Sequence, residues 1–251
     1  MDQFLSQFKY NPDKKLYVGV ERECFLTQND NIVPMSPQVL SVLPKDNRFG
    51  YELSACQLEE RIGPCKLSDV PKSLQDNNKE IQAAELRLNF SRCYCEVAPD
   101  DMPLDVFPDP TGRYQKITAN MPRETLLSAC QVAAVHIHIG MPDHATAMRV
   151  YNQVIDHLDI LSAWGDNSNG RRLDIYKKMA PDFLPRPYFS WQDFYTEAKE
   201  KHFWQDPRKC WHLIRLSIHG TIEFRMFGTT ADNEKILAWA EYCQEICRIA
   251  M

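Results

Sequence analysis

Three stretches of the chain alternate polar and apolar residues with a period of two, the spacing of a β-strand with one face buried. In "KLYVGVEREC" Glu21 and Glu23 fall on one side, and Val18, Val20 and Arg22 on the other. In "AAVHIHIGM" His136 and His138 share a side opposite Val135, Ile137 and Ile139. In "GTIEFRMF" Thr221, Glu223, Arg225 and Phe227 alternate with Ile222, Phe224 and Met226. A fourth strand is expected at "RCYCEVA". Elsewhere the period lengthens to that of a helix. "LSDVPKSLQDNNKEIQAAELRL" offers Ser68 as a cap, Pro71 in the first turn and Leu74, Ile81, Glu85 and Leu88 at helical spacing. Residues His144 to Ala163 carry Val150, Val154, Leu158 and Leu161 as a buried stripe. Ser190 with Asp193 spells a capping box for "SWQDFYTEAKEKHF", and Asp232 can cap a last helix from Asn233 to about Ile249.

Helices and strands mix without a regular β-α-β alternation. That predicts an α+β fold on a mainly antiparallel sheet, as a single domain over residues 1–251. Two stretches rich in Pro and charge, Pro99 to Thr111 and Gly165 to Pro187, are expected to be long loops, either binding loops or plain surface. Composition changes this picture little, since 44% hydrophobic and 25% charged residues describe an ordinary globular chain. A net charge of -5 argues against nucleic acid or an acidic membrane as partner. No apolar run reaches the ~18 residues of a membrane span and the start lacks the apolar core of a signal peptide, so the expected location is cytoplasmic. Nine scattered cysteines, an odd number, suggest reduced thiols, with Cys93 and Cys95 packing rather than clipping a metal.

The candidate chemistry lies in what the polar strand faces carry. Instead of Thr, Lys and Ser they hold Glu21 and Glu23, His136 and His138, and Glu223 and Arg225. A fourth piece, "YELSACQLEER", places Glu52 and Glu59 seven residues apart, which is one face of a helix if the segment is helical. Two carboxylates about 5 Å apart repel by roughly 3 kcal/mol at an effective dielectric near 20, so a cluster of four or five calls for cations within it. Hard oxygens with an occasional imidazole suit Mg²⁺ or Mn²⁺, ions that commonly accompany a nucleotide's phosphates, and Arg225 would add the charge that phosphoryl transfer needs. Each piece alone also fits a solvated face, and the histidines also fit a hydrogen-bonded core; four such segments together favour a site. Neither a P-loop nor a dinucleotide fingerprint is present. A metal-dependent amide hydrolase, in which an H-x-H pair also occurs, and a non-catalytic nucleotide-binding protein are the alternatives.

"GVERE", "ELSACQLE", "VHIHIGMPD" and "GTIEFRMF", in this order, resemble the glutamine-synthetase-like superfamily, and within it the second glutamate-cysteine ligase family of carboxylate-amine ligases. "PTGRYQKI" and "FSWQDF" look like the same branch, and the resemblance runs from about residue 16 to 230. It implies a curved antiparallel sheet with helices packed on one face, forming a funnel with ATP at one end and an amino-acid substrate at the other. It further implies that Glu23, Glu52 and Glu59 hold one Mg²⁺ (or Mn²⁺) and that Glu21, His136 and Glu223 hold a second. His138 would lie by the phosphates or the metal shell, Arg225 would meet the transferred phosphoryl group, and Arg171 or Arg172 of "NSNGRRL" would bind a substrate carboxylate. The implied partners are amino acids and ATP, with a homo-oligomer compatible. Members of this family continue well past the T-I-E-F-R strand, where this chain has one helix to Met251, so completion of the pocket by a partner subunit is also compatible.

Overall fold

A computed structural model describes all 251 residues. Eight strands form one open, wholly antiparallel sheet: β1 (Val18–Gln28), β2 (Asn31–Ile32), β3 (Phe49–Tyr51), β4 (Gln57–Cys65), β5 (Ser91–Cys93), β6 (Ala134–Gly140), β7 (Ile214–Ser217) and β8 (Thr221–Gly228). The main path runs β3-β4-β1-β6-β8-β7, with β2 and β5 added along β1. The helices are α1 (Asp2–Leu5), α2 (Ser36–Val42), α3 (Val70–Leu88), α4 (Arg113–Thr118), α5 (Arg123–Cys130), α6 (His144–Val154), α7 (Leu158–Gly165), α8 (Arg171–Met179), α9 (Trp191–Glu200) and α10 (Asn233–Ala250). The fold is therefore α+β, as the mixed pattern predicts.

The apolar sides of the central strands make one core. Val18 and Val20 of β1, Val135, Ile137 and Ile139 of β6, and Ile222 and Phe224 of β8 join a cluster of 39 buried residues with side chains from α6, α7, α9 and α10. This core sets the register of the sheet, because a slip of one residue would turn every apolar side chain to the polar face and every carboxylate inward. Where the caps were expected, two of three form. The Ser190 hydroxyl accepts from Asp193 N, and Asp232 accepts from Glu234 N and Lys235 N. Ser68 does not cap α3; it lies in a preceding 3₁₀ turn, and the N-cap is Asp69 with no side-chain bond.

Several expected boundaries move. Residues 52–59 are not helical: Glu52 follows β3 in an irregular turn and Glu59 sits within β4, a strand disguised by three consecutive charges, Glu59, Glu60 and Arg61. Glu60 is tolerated on the buried side because the Arg22 guanidinium donates to it at 2.7 Å and also to Asn233 of α10 at 2.8 Å. The stretch from Gly165 to Pro187 contains α8 instead of one long loop, and a 3₁₀ turn at Ile155–His157 splits the helix expected over 144–163. Of "RCYCEVA" only Arg92 and Cys93 are in a strand.

Strand β8 departs from strict alternation at a β-bulge. Ile137 pairs with Phe224 but Val135 pairs with Phe227, so Arg225 and Met226 both face the single residue His136. Phe227 is thereby turned from the polar side, where alternation places it, into the core. Its ring stacks on Trp239 of α10 with centroids 4.7 Å apart. Gly165, at the end of α7, makes room for it: a methyl group there would sit 2.7 Å from the ring. Replacing Phe227 by Ala is expected to lower the unfolding free energy by about 3–5 kcal/mol in urea denaturation, the cost of a large buried cavity. A loss under ~0.5 kcal/mol, typical of an outward-facing residue, would put Phe227 back on the polar face.

Candidate active site

Antiparallel pairing lines up the polar face strand by strand. Glu59 of β4 pairs with Glu23 of β1, Glu21 of β1 with His136 of β6, His138 of β6 with Glu223 of β8, and Glu223 in turn with Arg215 of β7. Four segments far apart in sequence thus contribute to one continuous surface, and Glu52 joins it from the end of β3, within hydrogen-bonding reach of Glu59.

Glu21 lies between the two histidines, with Oε2 3.2 Å from His136 Nδ1 and Oε1 3.6 Å from His138 Nε2. The His138 ring is held from behind by a hydrogen bond between Nδ1 and the Thr221 hydroxyl at 2.9 Å. Its Nε2 is buried and has no hydrogen-bond partner. Ligand atoms from Glu21, His138 and Glu223 all lie within 4.8 Å of one another. An orphaned imidazole nitrogen converging with two carboxylates is the donor set of a divalent cation that takes oxygen and nitrogen ligands. His136 Nε2 points instead toward Glu23, at 3.9 Å from Oε1.

Arginines bracket the other end. Arg215 grips both oxygens of Glu223, at 2.7 and 2.9 Å, while Arg225 donates to the same carboxylate at 2.5 Å. The Arg225 guanidinium lies 5.8 Å from the Trp211 ring centroid, a distance suited to a cation–π contact. Arg172 is buried and donates to the carbonyl of Met226, inside the β8 bulge, whereas Arg171 points outward, 3.6 Å from Asp100. The two arginines expected at a substrate carboxylate are therefore separated: Arg172 lines the site's cavity and Arg171 does not.

Charge is unevenly distributed over this face. Burial opposes the charged form of Glu223 and Glu21, yet both are held well below the usual carboxylate range, Glu223 by Arg215, His138 and Arg225 and Glu21 by the two histidines. His138 is raised above the usual imidazole value because Glu223 and Glu21 outweigh its burial, while burial and Arg225 push His136 down to about 4. On β1 and β4 the balance reverses. Burial and neighbouring carboxylates push Glu23 and Glu52 up to about 8 and raise Glu59 as well, with Arg61 the cation paired to Glu59. Arg61 is the one cation paired within this group of three carboxyls, and a proton or a divalent cation would balance the rest.

Two cavities open onto this surface, one of about 510 Å³ and one of about 500 Å³, and both are lined by Glu21, Arg61 and His219. The first extends past Lys9, Lys14 and Tyr17. The second holds Glu23, Glu52, Glu59, His136, Arg172 and Arg225 under α4, α5 and α8. Sequence reasoning missed Arg215 and His219. "LIRLS" does alternate with period two, so the signal for Arg215 was present but short; His219 sits in the β7–β8 turn and carries no pattern.

The model of a family described as "Putative amidoligase enzyme" matches residues 72–247. The chain is 24% identical over 249 residues to "Putative glutamate-cysteine ligase 2" of Gloeobacter violaceus, covering 88% of this chain and 64% of that protein. It is 29% identical over 222 residues to "Glutamate-cysteine ligase" of Natronomonas pharaonis, covering 81% and 60%. Among solved structures, the crystal structure of a bifunctional glutathione synthetase from Pasteurella multocida superposes with a TM-score of 0.59 at 13% identity, over 99% of this chain and 42% of that one. At that identity the likeness is one of fold. The chain spans about three fifths of the length of these two curated relatives.

The raised carboxyls make a pH-dependent prediction. Glu23 and Glu52, at about 8 when folded and near 4.3 when unfolded, favour the folded state fully at acid pH and lose that contribution as pH rises through 8. The melting temperature without metal is expected to fall between pH 6 and pH 9, and Mg²⁺ or Mn²⁺ to restore more of it at pH 9 than at pH 6. Glu52→Gln should flatten both trends. A melting temperature in the native chain that is independent of pH and metal over this range would remove the unbalanced cluster.

Proposed function

This chain belongs to the amidoligase family, and we propose that its reaction is ATP-dependent ligation of a carboxylate to an amine, of the glutamate-cysteine ligase type. The observation that carries the proposal is the Glu21, His138 and Glu223 triangle, tied through Glu223 to Arg215 and Arg225, with Glu21 on the wall shared by the two cavities. A carboxylate is a poor electrophile, and conversion to an acyl phosphate cures this. The carboxylate oxygen bonds to the γ-phosphorus of ATP as the bond to the β–γ bridging oxygen breaks, and ADP leaves. The amine nitrogen then attacks the carbonyl carbon, the carbon–oxygen bond to phosphate breaks, and inorganic phosphate departs while the nitrogen gives its surplus proton to solvent.

Both steps gather negative charge on the transferred group, and fixed positive charge in a site shielded from water stabilises it. Arg225, tethered through Glu223 and flanked by Trp211, is the residue assigned to that task, with Arg215 holding Glu223 in place. Glu23, Glu52 and Glu59 would hold one divalent cation, and Glu21, His138 and Glu223 a second. Bound cations would supply charge neutralisation between the phosphates. Relative to the roles implied by sequence resemblance, the histidines exchange: His138 has the free nitrogen facing the carboxylates, and His136 braces Glu21. The first cavity, with Lys9 and Lys14 at its wall, is assigned to ATP, and the second to the substrates being joined.

The test is release of ADP and phosphate with ATP, Mg²⁺ and a panel of carboxylates and amines. Turnover that requires a member of each class supports ligation, and amide hydrolysis without nucleotide would replace it with a hydrolase. Arg225→Lys keeps the charge but loses the planar fork. It is expected to cut turnover by about 10²-fold, in the range for loss of one transition-state donor, with nucleotide affinity changed less than tenfold. Equal losses in both would make Arg225 a binding residue only.

A further inference from the structure

The second cavity is more than a home for carboxylates. Eleven of its 25 lining residues are hydrophobic, against 5 of 18 in the first. The apolar residues are grouped. Tyr51, Tyr114, Ile117 and Met121 come from the end of β3, from α4 and from the turn after it, and Met179 and Trp211 come from the end of α8 and the segment before β7. Tyr51 is itself braced, stacked on Phe107 at 4.3 Å and edge-on to Tyr114 at 5.8 Å. Ile117 and Trp211 remain 45% and 40% exposed, so large apolar surface faces the cavity uncovered.

Six arginines line these walls, and Arg113 alone has a guanidinium that bonds no protein acceptor; Arg172 also lacks a carboxylate partner but donates to the Met226 carbonyl. Arg61 pairs with Glu59, Arg208 with Asp206, and Arg215 and Arg225 with Glu223. Arg113, the first residue of α4, pairs with no carboxylate; its guanidinium lies 5.7 Å from the ring centroid of the adjacent Tyr114. A planar guanidinium without an acid partner, set beside exposed aromatic and aliphatic surface, matches a ligand with a carboxylate next to a bulky apolar group. Aromatic side chains add ring-on-ring contacts to the burial of apolar area.

We propose that the second cavity binds an α-amino acid with an aromatic or large aliphatic side chain, its carboxylate on Arg113 and its side chain against Tyr114, Ile117 and Trp211. This rests on the ligase reading for its consequence, since such an amino acid would be the amine that is joined. The binding preference itself is independent of turnover.

The experiment is isothermal titration of the full chain, with Mg²⁺ and a non-hydrolysable ATP analogue present, using L-phenylalanine, phenethylamine and L-cysteine as probes. Phenethylamine lacks the carboxylate and cysteine lacks the bulk. L-Phenylalanine is expected to bind at least tenfold more tightly than either. Arg113→Gln, a change at a partly exposed position, should bring phenylalanine and phenethylamine to within about threefold. Trp211→Ala should shrink the preference for phenylalanine over cysteine by a similar factor. Cysteine binding as tightly as phenylalanine, no measurable binding of phenylalanine, or a preference untouched by Arg113→Gln would each overturn the assignment. Ligation that prefers cysteine would sink this inference and leave the ligase reading standing. Selective phenylalanine binding without ATP-dependent ligation would do the reverse.

Discussion

The organising constraint is electrostatic: five carboxylates and two imidazoles are held together on one face of a sheet, away from bulk water. Glu21, Glu23, Glu52, Glu59 and Glu223 would drive this surface apart if all were charged and unpaired. The fold meets the demand differently at its two ends. Around Glu223 the compensation is built into the chain, as Arg215 and Arg225 bring two positive charges to one carboxylate. Around Glu23, Glu52 and Glu59 it is left to Arg61 and to whatever proton or ion is bound. In the proposed reading the Glu23, Glu52 and Glu59 end depends most on a bound cation, while the Glu223 end adds two arginines to the cation proposed there.

The opposite face of the same sheet makes the arrangement durable. Val18, Val20, Val135, Ile137, Ile139, Ile222 and Phe224 are all sealed in one core, and that packing fixes which residues face each other across β1, β6 and β8. The bulge in β8 then adjusts a single strand. Two residues oppose His136, so Arg225 keeps its place on the polar side while Phe227 turns inward to Trp239. The surplus carbonyl at Met226 is bonded by Arg172, which links α8 to the bulge directly beneath the cavity it lines. Packing energy on one side thus positions charge on the other.

No helix is long and apolar enough to cross a membrane, and the polar surface borders two cavities that share Glu21, Arg61 and His219 as lining. In the ligase reading proposed above, two substrates would enter separately and react where the chambers join. The second chamber has two kinds of wall. Acids and arginines lie toward the sheet, and apolar surface comes from α4 and the segment before β7, the wall proposed above to meet an amino-acid side chain.

Strict alternation was enough to determine β1, β6 and most of β8, the face on which Glu21, Glu23, His136, His138, Glu223 and Arg225 lie, and the α+β class, because period two is a local property of the strand. It was not enough for β4, whose charged run Glu59-Glu60-Arg61 becomes a strand only when Arg22, 38 positions away in sequence, neutralises Glu60. Nor could it show Glu52 beside Glu59 without a helix, Phe227 in the core, Arg171 facing away from the cavity, or Arg215 clamped to Glu223, since each of these depends on a bulge, a turn or a strand pairing between distant segments. Local pattern decided which side chains share a face; only tertiary packing decided which faces meet, and with them the balance of charge on which the chemistry depends.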